Sequence, residues 1–176
     1  MLSPFIKNNP NLTYIISISN CNLEEKEERL LALAICSSKH KSLQHLSLYE
    51  SELSDKGLVD IIAALSFHPH LKHLDLDSNY LHINGCKALS TLLQHSATGI
   101  QYLDLSRNEI NDEGIEALVP SLKKCSHLES LKLAECGYNV TTRGYTLHTL
   151  NLSGSLSEIM QSEWQAVSKL LCNIYQ

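Results

Sequence analysis

Histidine and cysteine side chains occur close together at three points of the sequence, where they could bind a metal ion or supply a nucleophile with its base. A structural zinc site usually shows two tight ligand pairs, and no two of the six cysteines form a Cys-x-x-Cys motif. We therefore expect neither a metal ion nor a catalytic cysteine, and we expect the histidines beside Pro69 to lie in a surface loop. The groups concerned are Cys36 with His40, then His68, His70 and His73 with Cys86, and Cys125 with His127.

Three aspartates, Asp75, Asp77 and Asp104, are residue types that suit acid–base chemistry or a bound cation. They belong to segments in which leucine alternates with polar residues, so we expect them on the open face of a sheet, which cannot exclude water as catalysis requires. The sequence contains no glycine-rich phosphate loop and no nucleophile elbow. We accordingly predict that the protein is not an enzyme and has no catalytic residues, no cofactor and no small-molecule substrate.

The element that positions these aspartates is a repeat of 28 to 30 residues with the pattern L-x-x-L-x-L-x-x-N/C-x-L. Alternating leucine and polar residues predict a short strand with one buried face, and apolar residues spaced four apart predict a helix in the second half of each unit. Since no single unit can bury its own leucines, the units must stack on one another. The units begin at Thr13, Leu43, Leu71, Ile100 and Leu128.

Polar residues and glycines at fixed positions predict how each unit turns. The side-chain amides of Asn79 and Asn108 are expected to bind the backbone of neighbouring loops, and Cys21 and Cys136 take the same position in other units. A glycine just inside each helix is expected to let the helix approach the sheet closely. The predicted helix starts are Asp55, Asn84 and Asp112, and the glycines are Gly57, Gly85 and Gly114.

This pattern resembles the ribonuclease-inhibitor-like class of leucine-rich repeats over about residues 12–136. The resemblance implies an α/β fold, namely a right-handed leucine-rich-repeat solenoid (a horseshoe segment) with parallel strands on the concave face and helices on the convex face. The inhibitor that gives the class its name covers a basic enzyme with an acidic horseshoe, and GTPase-activating proteins for Ran and some immune receptors carry similar repeats. The small number of repeats and the low glycine content also resemble leucine-rich-repeat effectors of intracellular bacterial pathogens.

The repeat pattern fades toward the C-terminus, where we expect the solenoid to be capped. We predict a single leucine-rich-repeat domain over residues 1–176, with a degenerate strand near residue 147 and an amphipathic helix over about residues 157–175. Because the last repeat of a solenoid exposes its leucines, this helix is expected to serve as the C-terminal cap. The alternative is a partner-binding helix anchored by Trp164.

The formal charge of −5 argues against a nucleic-acid partner and fits a protein partner with a basic patch. The longest apolar run, residues 30–36, is too short to cross a membrane, and the N-terminal residues do not resemble a secretory signal. We therefore expect reduced, buried cysteines and a cytoplasmic protein, or one in a host cell cytosol if it is a bacterial effector.

Polar residues between the leucines of the strands are predicted to form a binding surface on the concave face. Residues at the same position of neighbouring repeats should lie side by side, which puts His45, His73 and Tyr102 in one row. Tyrosine among acidic groups suits a partner that carries Lys or Arg, whereas a solvated polar face without a partner is the alternative. The predicted partner-binding residues are His45, Tyr49, His73, Asp75, Asp77, Tyr80, Tyr102, Asp104, Arg107 and Lys132.

The sequence thus predicts a non-enzymatic protein-binding module that engages a partner protein through its concave strand face. The resemblance extends this hypothesis to the inhibition of an enzyme by covering its active site. The alternatives are an adaptor or recruitment domain and a bacterial effector that acts on a host protein.

Overall fold

Short strands and helices alternate along the chain in a computed structural model, which describes residues 15–37, 43–94, 99–110, 112–122 and 124–136. Each strand is three residues long, and each helix has 11 or 12 residues. In chain order the elements are β1 (Ile15–Ser17), α1 (Glu25–Cys36), β2 (His45–Ser47), α2 (Asp55–Leu65), β3 (His73–Asp75), α3 (Ile83–Gln94), β4 (Tyr102–Asp104), α4 (Asp112–Leu122) and β5 (Ser130–Lys132).

The strands form one parallel sheet whose spatial order is the order of the sequence, β1 to β5. Each repeat is in register with the next, so that Leu46 pairs with Leu74, Leu74 with Leu103, and Leu103 with Leu131. Consecutive helices pack against one another along one side of the sheet. This arrangement confirms the predicted α/β leucine-rich-repeat solenoid.

The core between the sheet and the helices is almost entirely aliphatic, as the scarcity of aromatic residues predicts. The four strand leucines in register are completely buried, and the helices contribute apolar residues spaced four apart, such as Ile61 and Leu65 of α2. Burying one such side chain stabilises the fold by about 1.5–3 kcal/mol. The strand leucines are Leu46, Leu74, Leu103 and Leu131.

An asparagine after the strand ties neighbouring repeats together, as predicted from the motif. The side chain of Asn79 is 4 % exposed, and its Nδ2 group donates to the carbonyls of Leu48, Leu76 and Asp77 at 2.8, 3.1 and 3.1 Å. Its Oδ1 atom accepts the Leu53 N–H at 3.0 Å. A single side chain therefore satisfies buried backbone groups of two successive repeats.

The equivalent residues of other repeats have the same role, although not all of them are asparagines. Asn108 donates to the carbonyl of Leu76 at 2.8 Å and accepts the Leu81 N–H at 3.0 Å. The hydroxyl of Ser51 donates to the Ile18 carbonyl at 2.9 Å, but a hydroxyl has fewer groups to offer than an amide. The asparagines therefore make more hydrogen bonds at this position than the serine does.

In every described repeat, the residue directly before the position of Asn79 has a left-handed backbone conformation. The φ angles of these non-glycine residues lie between 49° and 58°, a region that costs an L-residue about 1–2 kcal/mol. Glu52, two residues farther along the second repeat, has a φ of 52° and an exposed side chain. The residues that share the first position are Asn20, Glu50, Ser78, Arg107 and Glu135.

We expect Glu52→Gly to stabilise the protein by about 0.5–1 kcal/mol, because relief of the left-handed strain exceeds the extra chain entropy of glycine. Thermal unfolding of the full chain measures the change as a higher melting temperature. Glu116→Gly, at an exposed position within α4, should instead destabilise by about 1 kcal/mol. A lower melting temperature for Glu52→Gly would contradict the assigned backbone conformation.

The glycine in the first turn of α2 has a different role from the one expected. A Cβ atom on Gly57 would lie 2.3 Å from the carboxylate of Glu28, which reaches over from α1. That carboxylate accepts the Ser54 N–H at 2.6 Å and the Ser54 hydroxyl at 2.8 Å, and Ser54 is the N-cap of α2. Gly57 thus makes room for an acidic cap from the preceding repeat rather than for the sheet.

The next helix is capped in the same way from the repeat before it. Asp55, the first residue of α2, accepts the backbone N–H groups of His82 and Gly85 at 2.8 and 2.9 Å, at the start of α3. Carboxylates at helix N-termini are stabilising because the helix dipole is positive there. Asn84 and Asp112 lie in the first turns of α3 and α4, as predicted.

Two side chains differ from the sequence expectation in their exposure. His68 is not on the surface, since it is 2 % exposed and its Nε2 atom lies 3.0 Å from the Ile35 carbonyl oxygen. Cys36 is exposed rather than buried, whereas Cys86 is buried. His40, Cys172, the strand near residue 147 and the helix over residues 157–175 with Trp164 lie outside the described residues.

Within the described part of the chain, no helix has the length and apolar character needed to span a membrane.

Candidate protein-binding surface

The side of the sheet that turns away from the helices carries the polar residues flanking each buried leucine. Six of the predicted partner-binding residues lie on the strands, and the others follow within five residues of a strand end. We call this set the strand-face surface. It consists of His45, His73, Asp75, Tyr102, Asp104 and Lys132 on the strands, with Tyr49, Asp77, Tyr80 and Arg107 beyond them.

Three rings stack across neighbouring strands of this surface. The centroids of His45 and His73 are 5.3 Å apart with an angle of 27° between their planes. His73 and Tyr102 are 4.0 Å apart and parallel to within 1°. The parallel register puts these residues side by side at the spacing of adjacent strands, which is also a stacking distance. The row predicted from the repeat is therefore a continuous ring column.

At one end of the ring column, Asp104 joins Tyr102 to Lys132. Asp104 is 5 % exposed, and its carboxylate accepts the Tyr102 hydroxyl at 2.8 Å and the Ser106 N–H at 3.1 Å. The Lys132 ammonium lies 3.2 Å from the same carboxylate and 5.0 Å from the centre of the Tyr102 ring. Burial raises the pKa of Asp104, but the hydrogen bonds outweigh it, so this pKa lies below its usual value. Asp104 is thus a charged anchor within the surface.

A second network holds Arg107 in place. Its guanidinium pairs with Asp77, donates from Nε to the Ser78 hydroxyl at 2.6 Å, and lies 5.7 Å from the centre of the Tyr49 ring. Asp77 is 9 % exposed, and burial raises the pKa of its carboxyl even though Arg107 opposes the shift. Arg107 therefore spans three repeats with its side chain already ordered.

Asp75 and Tyr80 are placed differently from these networks. Asp75 accepts the Ser47 hydroxyl at 3.0 Å and the Asp77 N–H at 3.1 Å, and the ion pairs among the described residues involve Asp77 and Asp104 but not Asp75. Tyr80 lies beyond the turn with 47 % of its surface exposed. Asp75 is thus the strand-face aspartate whose charge is least compensated.

Sequence reasoning missed the serines that complete these networks. Ser47, Ser78 and Ser106 bind or position the three aspartates through hydroxyl and backbone groups. A serine carries little signal by itself, but Ser47 stands in register beside Asp75, and that register was readable from the repeat.

The described residues contain no group of three or more His, Cys, Asp or Glu side chains that could hold a metal ion. Burial raises the pKa of Cys86 and of Cys136 to about 12, and that of Cys125 to about 11. A thiol with such a pKa is almost entirely protonated near neutral pH and is a poor nucleophile.

Comparison with known proteins agrees with the repeat architecture. The chain is 29 % identical to the Tonsoku-like protein of Mus musculus over 154 residues, which cover 86 % of this chain and 11 % of that protein. It is 30 % identical to the NACHT, LRR and PYD domains-containing protein 13 of Homo sapiens over 145 residues, or 77 % of this chain and 14 % of that protein. The chain thus spans only a small part of the length of these relatives.

A solved structure described as "Leiomodin-1 Actin-Binding Site 2 (ABS2)" shares the fold. It matches with a TM-score of 0.62 at 16 % sequence identity, over 96 % of this chain and 95 % of that chain. The sequence profile of the family described as "PRAME C-terminal domain" matches residues 19–164, which is most of the chain. This match establishes that the chain belongs to the PRAME C-terminal domain family.

Proposed function

We propose that this chain is a non-enzymatic protein-binding module that engages a partner protein through the strand-face surface. The observation that carries the proposal is the ring column of His45, His73 and Tyr102 on a side of the sheet that no described helix covers. Tyrosine is enriched at the energetic centres of protein interfaces. Because both faces of His73 meet neighbouring rings, a partner would meet this ring at its edge.

The strand-face surface is also largely pre-ordered. Arg107 and Lys132 are long side chains that would lose rotamer freedom on binding, and both are already held by ion pairs with aspartates. Immobilising such a side chain on association costs about 0.5–1.5 kcal/mol. Binding through groups that are fixed beforehand avoids most of that cost.

Charge favours a partner with a basic patch. Asp77 and Asp104 are compensated by Arg107 and Lys132, so the unpaired charge of the strands is mainly that of Asp75. The turns that follow the strands add exposed carboxylates at Glu50, Glu52 and Glu135. The carboxylates of these turns would attract a basic partner surface and so direct it toward the neighbouring rings.

The relatives support a binding role without naming a partner for this chain. The printed description of the leiomodin-1 structure concerns an actin-binding site, which makes actin a suitable purified probe. Inhibition of an enzyme, a role as an adaptor, action as a bacterial effector and a cytoplasmic location stay predictions from the sequence.

We expect the double variant Tyr49→Ala with Asp75→Asn to weaken partner binding at least about tenfold, because it removes an interface ring and the least compensated charge. Proteins captured by the wild-type chain from a lysate are identified and purified, and their dissociation constants are measured calorimetrically, with actin measured in parallel. Asn at position 75 keeps an acceptor oxygen for the Asp77 N–H, and the Ser47 hydroxyl can accept from its amide group, so the sheet should stay intact.

The matched control removes one ring and one charge from the helix side, as Phe67→Ala with Glu116→Gln. Phe67 is 52 % exposed beside the groove between α1 and α2, and Glu116 is exposed on α4. This control should bind like the wild type. If both double variants bind every purified partner as tightly as the wild type, the strand-face surface is not the binding site. If the partner is an enzyme, its rate with added chain separates an inhibitor from an adaptor.

A further inference from the structure

The ring column places two titratable imidazoles in direct contact. The proposed function uses these rings as a contact surface but does not use their ability to bind protons. His45 and His73 are stacked with centroids 5.3 Å apart, and the other face of His73 is covered by Tyr102 at 4.0 Å. Histidine is the side chain whose charge ordinarily changes between about pH 5 and 8. Two positive charges at this separation repel each other, so protonation of one ring opposes protonation of the other.

The charged groups around the column have opposing effects. Asp75 on the same strand and Asp104 on β4 favour a protonated His73, whereas Lys132 on β5 and a protonated His45 on β2 oppose it. Burial is the largest influence and lowers the pKa of His73, and His45 lowers it further. From β1 the neighbour in register with His45 is Ile15, which carries no charge.

We propose that His45 and His73 act as one proton-binding unit, which takes up a single proton under mildly acidic conditions and thereby weakens the binding of a basic partner. The inference rests on the proposed function and assigns a regulation to that same surface. A proton on this pair offsets part of the charge of Asp75, which acts electrostatically on His73, and it therefore weakens the local attraction for a Lys or Arg of the partner. The second proton binds only at a clearly lower pH, since it must enter a column that is already charged.

Nuclear magnetic resonance titration of the full chain tests the proton-binding unit without any partner. The imidazole signals of wild type are expected to show two steps separated by about one pH unit or more. In His45→Gln the remaining His73 should titrate in one step at a higher pH than in wild type. Identical His73 titrations in wild type and His45→Gln would overturn the proposal.

A capped hexalysine peptide serves as the basic probe for the effect on binding. Its dissociation constant, read from shifts of the strand-face amide signals, should rise about fivefold in wild type between about pH 7.5 and 5.5. The double variant His45→Gln with His73→Gln should show less than about a twofold change over the same range. Equal pH dependence in the two proteins, or failure of the peptide to perturb the strand face at either pH, would also overturn the proposal.

The tests of the proton-binding unit and of the proposed function can fail independently of each other. Independent titration of the two rings would leave protein binding by the strand-face surface untouched. Conversely, equal binding of purified partners by the wild type and the Tyr49→Ala, Asp75→Asn variant would remove the proposed function while the coupled titration remained.

Discussion

Replacing Asn79 with alanine is expected to lower the free energy of unfolding by about 3–5 kcal/mol, which is among the largest effects of a single substitution in a domain of this size. The Asn79 side chain is the hydrogen-bond partner of four buried backbone groups, and alanine can replace none of these bonds. Each buried backbone group left without a partner costs about 1–3 kcal/mol, with some relief from relaxation and water. Chemical denaturation with circular dichroism measures the change.

Asn84→Ala is the matched control, because Asn84 is an exposed asparagine in the first turn of α3. It should change stability by less than about 0.5 kcal/mol. Ser51→Ala, at the equivalent position of the preceding repeat, should be intermediate at about 1–2 kcal/mol, since Ser51 donates one hydroxyl hydrogen. If Asn79→Ala unfolded with the same midpoint as Asn84→Ala, the links between repeats would have to lie elsewhere.

Much of the fold, including the hydrogen bonds of Asn79, could be predicted from the sequence. Period and leucine spacing were sufficient to predict the strands, their register and the asparagine bonds, because each of these depends on residues at equal positions in successive repeats. The row of His45, His73 and Tyr102 was predictable for the same reason. In a stacked repeat, residues at the same position of successive units are neighbours in space, so their contacts can be predicted from the sequence.

Features that depend on side chains reaching across the repeat were not predictable. Glu28 and Asp55 both cap the following helix, but they occupy different positions in their repeats, so the motif gives no common signal. Likewise, His68 beside Pro69 looks like a loop residue until its ring is seen against the Ile35 carbonyl. Such contacts are set by rotamers and by the distance between helices, which a spacing pattern does not contain.

The candidate surface was also predictable only in part. The repeat predicts which residues belong to it, but not their charge environment, because the sequence does not distinguish Asp75 from Asp77 and Asp104. In the structure Asp77 and Asp104 are nearly buried and hold Arg107 and Lys132, so little of either carboxylate is available for direct contact. The acidic character that a partner would sense therefore shifts toward Asp75 and the turn carboxylates of Glu50 and Glu52.

The second large effect concerns Gly57, where the sign of a Gly→Ala substitution should depend on a residue in another helix. In the wild-type chain Gly57→Ala is expected to destabilise by about 1–2 kcal/mol, because the new Cβ would displace the Glu28 carboxylate from the N-cap of α2. That loss is about 2–3 kcal/mol for charge-assisted hydrogen bonds, and it exceeds the gain of about 1 kcal/mol from alanine in a helix.

In the Glu28→Ala background the obstacle is gone, so only the helix preference of alanine remains. Gly57→Ala should then stabilise the protein by up to about 1 kcal/mol, although Glu28→Ala alone destabilises it. Denaturant unfolding of the four proteins in this double-mutant cycle gives a coupling energy of about 2–3 kcal/mol between the two sites. If Gly57 were simply an exposed helix glycine, or were needed only for the approach of α2 to the sheet, the effects of the two substitutions on stability would be additive. Additivity here would therefore mean that the acidic cap does not explain the glycine, and a reversal of sign would mean that Gly57 is retained to admit Glu28.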